Sequence, residues 1–305
     1  MRSIIRASTR HDGRTGSTTN PCHQGLSRAK SHAYDLRVQN SYSGSAVRSL
    51  IATLARSAAC LIVGTAPAFA HFQEIIPSAD VLPEGGSVAL DLVFTHPFEG
   101  GPVMAMKRPV QVGVLSGGKR TDLAAALVEK SVAGSMAWTL THEIAEPGAD
   151  IFYVEPQPYF EPAENKLIVH YAKVVVDGFA SGEGWDELVG LPVEIQPLTR
   201  PTGLWTGNLF SGVVLKDGKP VPFAEIEVEF VNEGKVQAPN DAFVTQVIKA
   251  DANGTFSYAM PRGGWWGFAA LVESDTPGKA PDGKDVPVEQ GGLIWVKATD
   301  MPTAP

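Results

Sequence analysis

Cysteine is scarce in this sequence of 305 residues, and the only two, Cys22 and Cys60, lie near its beginning. The rest of the chain therefore offers no disulfide, no thiolate metal ligand and no cysteine nucleophile. Aromatic residues make up 8% and charged residues 19% of the chain, whereas hydrophobic residues make up 44%. This composition suits a folded chain with a sizeable core and excludes an intrinsically disordered one.

The short motifs of common enzyme classes are also missing. The sequence has no Gly-x-Ser-x-Gly elbow and no Gly-rich phosphate loop, and His142-Glu143 lacks the second histidine of a His-Glu-x-x-His zinc motif. Hydrolase and nucleotide chemistry have no support in these motifs. We therefore expect a protein that is not an enzyme.

A long hydrophobic run is absent as well. The apolar run at residues 57–65 is far below the ~20 residues of a membrane-spanning helix. Arg56 precedes it and Ala68-Phe69-Ala70 follows it, which is the pattern of a cleaved signal peptide at residues 47–70. We expect cleavage after Ala70 and a periplasmic product that does not span the membrane.

Residues 1–46 are polar and show no apolar periodicity. We expect them to be either a non-translated stretch upstream of a start near Val47 or a disordered extension of the signal peptide, and we exclude them from the fold. Residues 1–70 hold nine Lys or Arg and two Asp or Glu, whereas residues 71–305 hold 16 and 31. The acidic part does not suit nucleic acid as a partner, but it does attract cations.

The mature part reads as short strands separated by turns. Residues 87–94 alternate in polarity and residues 166–176 form a β-branched run, so both predict strands of a sandwich. Residues 122–131 predict one short helix. Three prolines in residues 191–201 end a first domain at residues 71–200.

A second domain is predicted at residues 204–300. In the strand at residues 224–231, Ile226, Val228 and Phe230 should face inward, with the three glutamates between and before them in solvent. About seven short strands in roughly one hundred residues are typical of an Ig-like or transthyretin-like sandwich. The predicted fold class is all-β, with two β-sandwich domains in tandem after a cleaved signal peptide.

Histidine supplies the candidate chemistry. Cleavage after Ala70 makes His71 the amino terminus, where the α-amine and an imidazole nitrogen can chelate one ion; such nitrogen donors suit nickel, cobalt or copper. His96, His142 and His170, each in or beside a strand, are the candidate partners of His71. Any one of them could instead be a hydrogen-bonded structural histidine.

Two further patterns bear on this site. Residues 155–164 place three glutamates in a proline-stiffened stretch, and Glu155 is the candidate oxygen ligand; an ordinary solvated loop is the alternative. Met104 and Met106 share a strand face, which favours core packing over a soft-metal site.

Trp265 and Trp266 point to opposite faces of a regular strand and so cannot form one sugar-binding surface.

Several blocks match a known pattern, namely residues 152–164, 168–173, 185–187, 190–192, 197–201 and 263–270. They resemble a bacterial exported family associated with nickel and cobalt transporters, whose members typically begin the mature chain with histidine. Residues 212–214, 217–220 and 251–256 resemble a carboxypeptidase-regulatory or transthyretin-like module. The resemblance implies a periplasmic protein that binds nickel or cobalt and delivers it to a membrane uptake transporter.

Two other functions stay open from the residues themselves. A metal-free adhesion or carbohydrate-binding module needs only the acidic surface and the sandwich folds. A copper protein with an amino-terminal histidine brace needs His71 and one other histidine. Metal content of the processed protein separates the three.

Overall fold

The computed structural model describes residues 71–303. The predicted signal peptide and the residues before it lie outside the described residues. In the described part the chain is all-β, as predicted, with two single-turn 3-10 helices at Ala124–Ala126 and Asp241–Phe243. None of its helices is long and apolar enough to cross a membrane.

The strands within residues 71–303, numbered β1 to β21 in chain order, are Phe72–Pro77, Val81–Leu82, Gly86–Thr95, Gln111–Ser116, Lys119–Asp122, Val128–Val132, Ser135–Ile144, Gly148–Glu155, Tyr159–Glu161, Lys166–Gly178, Val193–Pro197, Leu204–Trp205, Leu209–Lys216, Lys219–Pro220, Glu225–Phe230, Gln246–Lys249, Thr255–Ala259, Gly264–Glu273, Gly278–Lys279, Asp285–Val286 and Val288–Thr299.

The strands form three layers. A central sheet has the order β16-β15-β18-β21-β10-β8-β4-β5. A front sheet, β1-β3-β7-β6, packs on one of its faces through a core that includes Phe72, Leu90 and Trp295. A back sheet, β11-β13-β14 with β17 beside β13, packs on the other face through Phe210 and Phe268.

The long strand β10 is buried on both faces, which explains its continuous apolar run. Ala172 and Val174 belong to the front core, whereas Tyr171 and Val175 belong to a smaller core on the back. Alternate residues of a strand point to opposite faces, so even-numbered β10 residues from His170 onward face the front sheet.

The central sheet runs across the predicted domain boundary. β10 pairs in parallel with β21 from Leu167↔Val288 to Val174↔Trp295. The predicted domains at residues 71–200 and 204–300 thus share one sheet. A fragment of residues 204–300 would keep β18 beside β21 but would lack β10, the other long partner of β21.

The predicted helix at residues 122–131 is wrong. β5 ends at Asp122, whose carboxylate accepts a hydrogen bond from the Ala124 amide, and only one 3-10 turn follows before β6 begins at Val128. β6 then pairs with β7, with Val128 opposite Thr139. Pairing with a sheet edge outweighs the helix propensity of the alanines.

The predicted solvated face of β15 is also wrong at its end. Ile226, Val228 and Phe230 are buried as predicted, and Glu225 is exposed, but Glu229 is only 1% exposed. The loop after β3 covers Glu229, which accepts a hydrogen bond from the Phe98 amide at 3.2 Å. Alternation fixes which face a residue takes, not whether another layer covers that face.

Candidate metal centre

His71 and His96 meet because β1 and β3 are antiparallel neighbours. Phe72, the first residue of β1, pairs with Thr95, the last residue of β3. His71 lies just before β1 and His96 lies just after β3, so the register of these two strands brings the two histidines side by side. Their ring centroids are 4.6 Å apart, and His96 is buried.

The loop that carries His96 is fixed by the C-terminal half of the chain. The Asn232 amide donates to the Pro97 carbonyl, and the Asn232 side chain donates to the Phe98 carbonyl at 3.0 Å. Glu229 accepts from the Phe98 amide. The position of His96 therefore depends on Glu229 in β15 and on Asn232, two residues after the end of β15.

Glu161 lies on the other side of His71. It ends the short strand β9, which pairs with the start of β10, and its Oε2 lies 3.2 Å from Nε2 of His71. Two ligands bound at 2.0–2.1 Å to one tetrahedral ion lie about 3.3 Å apart. The spacing of these two atoms thus matches that of two donors on one metal ion.

The surroundings keep His71 neutral. Burial and the neighbouring His96 lower the pKa of His71 to about 4, although Glu161 acts in the opposite direction. The rings of Phe94 and Tyr159 lie 5.6 and 5.5 Å from the His71 ring. A neutral imidazole is the form that binds a metal ion, so His71 is in its metal-binding form at neutral pH.

His170 lies close by, beyond the ring of Phe94. It projects from β10 toward the front sheet, and its ring centroid is 6.2 Å from that of Phe94. Its Nε2 lies 3.6 Å from Oε1 of Glu289, which also pairs with Lys166 at 2.5 Å. The structure therefore brings together three of the four predicted histidines: His71, His96 and His170.

His142 does not join them. It pairs with Val88 on β3, eight residues before His96, which at ~3.3 Å per residue places it about 26 Å along the strand from His96. There its Nε2 lies 3.5 Å from Oδ2 of Asp150, and its ring packs edge-on against Phe152. His142 therefore fits the alternative that the sequence left open, a structural histidine rather than a metal ligand.

Glu155 also lies apart from the histidines. It follows Tyr153 by two residues on β8, and Tyr153 belongs to the core on the back of the central sheet. Burial raises the pKa of Glu155, and nearby Arg120, stacked on the Tyr153 ring at 4.8 Å, opposes this. Glu155 thus faces the opposite side of the sheet from His170.

The proline-stiffened stretch contributes to the centre through other members. Tyr159 and Glu161 are two residues apart on β9 and lie beside His71. A hairpin at this point is the feature that could have identified Tyr159 and Glu161 in the sequence. Residues 162–165 form its turn and bring β9 back alongside β10. Met104 and Met106 pack in cores.

The donors are near one another but not yet arranged as ligands. Within residues 71–303, no group of three or more His, Cys, Asp or Glu could hold a metal ion as the side chains stand. Coordination at His71, His96 and Glu161 would therefore require side-chain rotation.

The sequence match gives the family. The domain of unknown function DUF4198 matches residues 68–274. The chain belongs to this family. The DUF4198 match covers the three gathered histidines and Glu161, and it ends before β21 begins. No curated protein sequence matches the chain.

Solved structures give only weak likenesses to this DUF4198 protein. A two-domain fibronectin type III segment of chicken tenascin is 10% identical, with 75% of this chain and 100% of that chain covered and a TM-score of 0.21. The Yersinia pseudotuberculosis adhesin InvE is 16% identical, with coverage of 72% and 58% and a TM-score of 0.20.

PorU from Porphyromonas gingivalis is 9% identical with a TM-score of 0.21, and the match covers 75% of this chain. This chain spans 20% of the length of that PorU chain. At these scores none of the three carries an argument about the function of the DUF4198 protein.

Proposed function

We propose that this protein binds a divalent transition metal ion at His71, His96 and Glu161. The observation that carries the proposal is the position of His71, whose ring lies 4.6 Å from that of His96 and whose Nε2 lies 3.2 Å from Glu161. Its lowered pKa supports the proposal, because protons compete weakly for this imidazole. His170 is a further ligand within reach of a rearrangement.

The biological role extends this proposal. The protein is exported to the periplasm, collects nickel or cobalt there without being an enzyme, and delivers the ion to a membrane uptake transporter. Imidazole donors with one carboxylate suit these borderline ions. The choice of nickel or cobalt rests on the family resemblance of residues 152–173 and 263–270, and so does the transporter.

Calorimetric titration with nickel, cobalt and copper tests the site. We expect binding near one ion per chain, with at least a tenfold loss of affinity in His71→Ala, His96→Ala and Glu161→Gln. His142→Ala is the matched control, because that histidine lies about 26 Å along β3 from His96. Absence of stoichiometric metal, or an equal effect of the control, would remove the proposal and leave a metal-free adhesion module as the alternative.

A copper protein is the second candidate. Two neighbouring imidazoles and a free amine on His71 would supply the nitrogen donors of a histidine brace, and the Tyr159 ring lies 5.5 Å from His71. Preference for copper together with ascorbate-driven oxidation of a substrate supports this function. Tight nickel or cobalt binding without such oxidation supports the transport function.

A further inference from the structure

A cavity of about 250 Å³ opens beside the candidate metal centre. It lies between the front sheet, the loop before β9 and the start of β10. Phe94 and Tyr159, which flank His71, form part of its wall. Most of the remaining lining is apolar and includes Met106, Pro156, Pro158, Phe160 and Ile168.

Two buried polar side chains line the same cavity with atoms left unpaired. Gln73 is 0% exposed, and its Nε2 donates to the carbonyls of Glu74 and Val93, but its Oε1 has no hydrogen-bond partner among the described residues. His170 is 2% exposed; its Nε2 lies 3.6 Å from Oε1 of Glu289, but its Nδ1 has no hydrogen-bond partner among the described residues. Buried polar atoms are nearly always hydrogen-bonded, so two unpaired ones at one cavity, Gln73 Oε1 and His170 Nδ1, indicate something that pairs with them.

The neighbouring strand is shaped around His170. Gly291 on β21 lies directly opposite His170 on β10. A Cβ atom at Gly291 would lie 2.4 Å from Cδ2 and 2.9 Å from Nε2 of the imidazole, closer than atoms can approach. The imidazole therefore occupies the space of a missing side chain, which holds it at the cavity wall.

From these observations we infer that the cavity binds a small aromatic molecule carrying an N–H or O–H group. Gln73 Oε1 can only accept a hydrogen bond, whereas an imidazole nitrogen such as His170 Nδ1 can donate or accept one according to the tautomer. The rings of Phe94, Tyr159 and Phe160 and the two prolines provide flat apolar surface. The volume is below the usual range for drug-sized ligands and admits one ring system of the size of phenol or indole.

This site is distinct from the proposed metal site at His71, His96 and Glu161, although the two share a wall and His170 borders both. Its buried polar contacts come from Gln73 and His170, Lys107 and Gln157 complete the polar lining, and it needs no metal. Binding is therefore measured with a chelator present. Failure of metal binding leaves this inference intact, and failure of aromatic binding leaves the metal proposal intact.

Ligand-detected NMR on the metal-free full chain tests the inference with phenol and indole as probes and toluene as the matched control. We expect phenol or indole to bind at least about tenfold more tightly than toluene, because toluene cannot donate to Gln73 or His170. Addition of the bound probe should also shift the side-chain ¹⁵N resonances of His170. This measurement needs no substitution.

Gly291→Ala should displace His170 and weaken binding of the preferred probe by at least about tenfold, whereas His142→Ala should leave it unchanged. Should Gly291→Ala fail to fold, the ¹⁵N shift in the unaltered chain decides the question. Absence of binding by both probes, equal binding of toluene, or a His170 resonance that does not move would overturn the inference and leave a cavity that holds water.

Discussion

Replacing Glu229 by glutamine should remove a large part of the pH dependence of folding stability. Glu229 accepts hydrogen bonds from the Phe98 amide and the Thr245 hydroxyl, but burial outweighs both and raises its pKa to about 7. Burial also raises the pKa of Glu74 and of Glu227 to about 8, with repulsion from Glu229 adding to both. Glu229 is buried, whereas Glu74 on β1 and Glu227 on β15 are half-buried, and each of these two interacts with Glu229.

The direction of the effect follows from where each state holds the proton. Unfolded, Glu229 loses its proton near pH 4.5; folded, it keeps the proton to about pH 7. Its contribution to stability is therefore complete below pH 4.5 and is lost as the pH rises through 7. At 1.36 kcal/mol per pKa unit, the contribution of Glu229 is roughly 3 kcal/mol. A glutamine at this position stays neutral at every pH, so the Glu229→Gln chain does not lose this contribution to stability.

Urea unfolding at pH 5, 7 and 9 measures this. The unaltered chain should become less stable from pH 5 to pH 9, and Glu229→Gln should lose about 3 kcal/mol less over that range. The difference between the two chains reports Glu229 together with its repulsion of Glu74 and Glu227, because His71, which titrates in the opposite sense, is common to both. Glu225→Gln, on the same face of β15 but exposed, is the control. The reasoning is refuted by equal pH profiles for Glu229→Gln and the unaltered chain.

Three further results are expected. Intact-mass analysis of the exported protein should give a chain that begins at His71, and a chain beginning at Phe72 contradicts this. Adding one alanine before His71 should weaken nickel, cobalt and copper binding in calorimetry, because it turns the chelating amine into an amide. Since the pKa of His71 is about 4, competition between protons and the metal ion above pH 5 should come mainly from the amine. Equal affinity of the two chains would exclude the amine from the site. Lys173→Met should lower the free energy of unfolding by about 3–5 kcal/mol, because it leaves buried Glu194, 2.6 Å from the Lys173 ammonium, without its charged partner. Lys173→Met with Glu194→Gln, which keeps an acceptor for the backbone amides that donate to residue 194, should be milder, and an additive loss would show that the pair is not coupled.

Local patterns in the sequence were enough to predict much of the fold. The alternation in β3 and β15 and the apolar run of β10 depend on neighbours two residues away, and these strands form where the patterns place them. The pairing of β10 with β21 joins residues such as Leu167 and Val288, which no local pattern relates. The continuous central sheet was therefore not predictable in this way.

The same limit applies to the candidate centre. His96, His142 and His170 look alike in sequence, since each lies in or beside a strand. Only the register of β1, β3 and β7 decides that His71 meets His96 and that His142 lies eight residues away from His96 along β3. Glu161 was within the stretch that the sequence indicated, but its place beside His71 depends on the hairpin of β9 and β10.

The anchoring of the His96 loop by Glu229 and Asn232 has a consequence for the order of assembly. When the chain is synthesised or exported from its amino terminus, His71 and His96 emerge more than one hundred residues before Glu229 and Asn232. Until then the loop has only its local hydrogen bonds, such as that from the Gly100 amide to the His96 carbonyl, and β10 has no β21 to pair with. Contacts this distant in sequence form late and slowly. The arrangement of His71 and His96 should thus be completed only when the whole chain is present, so an unfinished or truncated chain should lack the geometry of the proposed metal site.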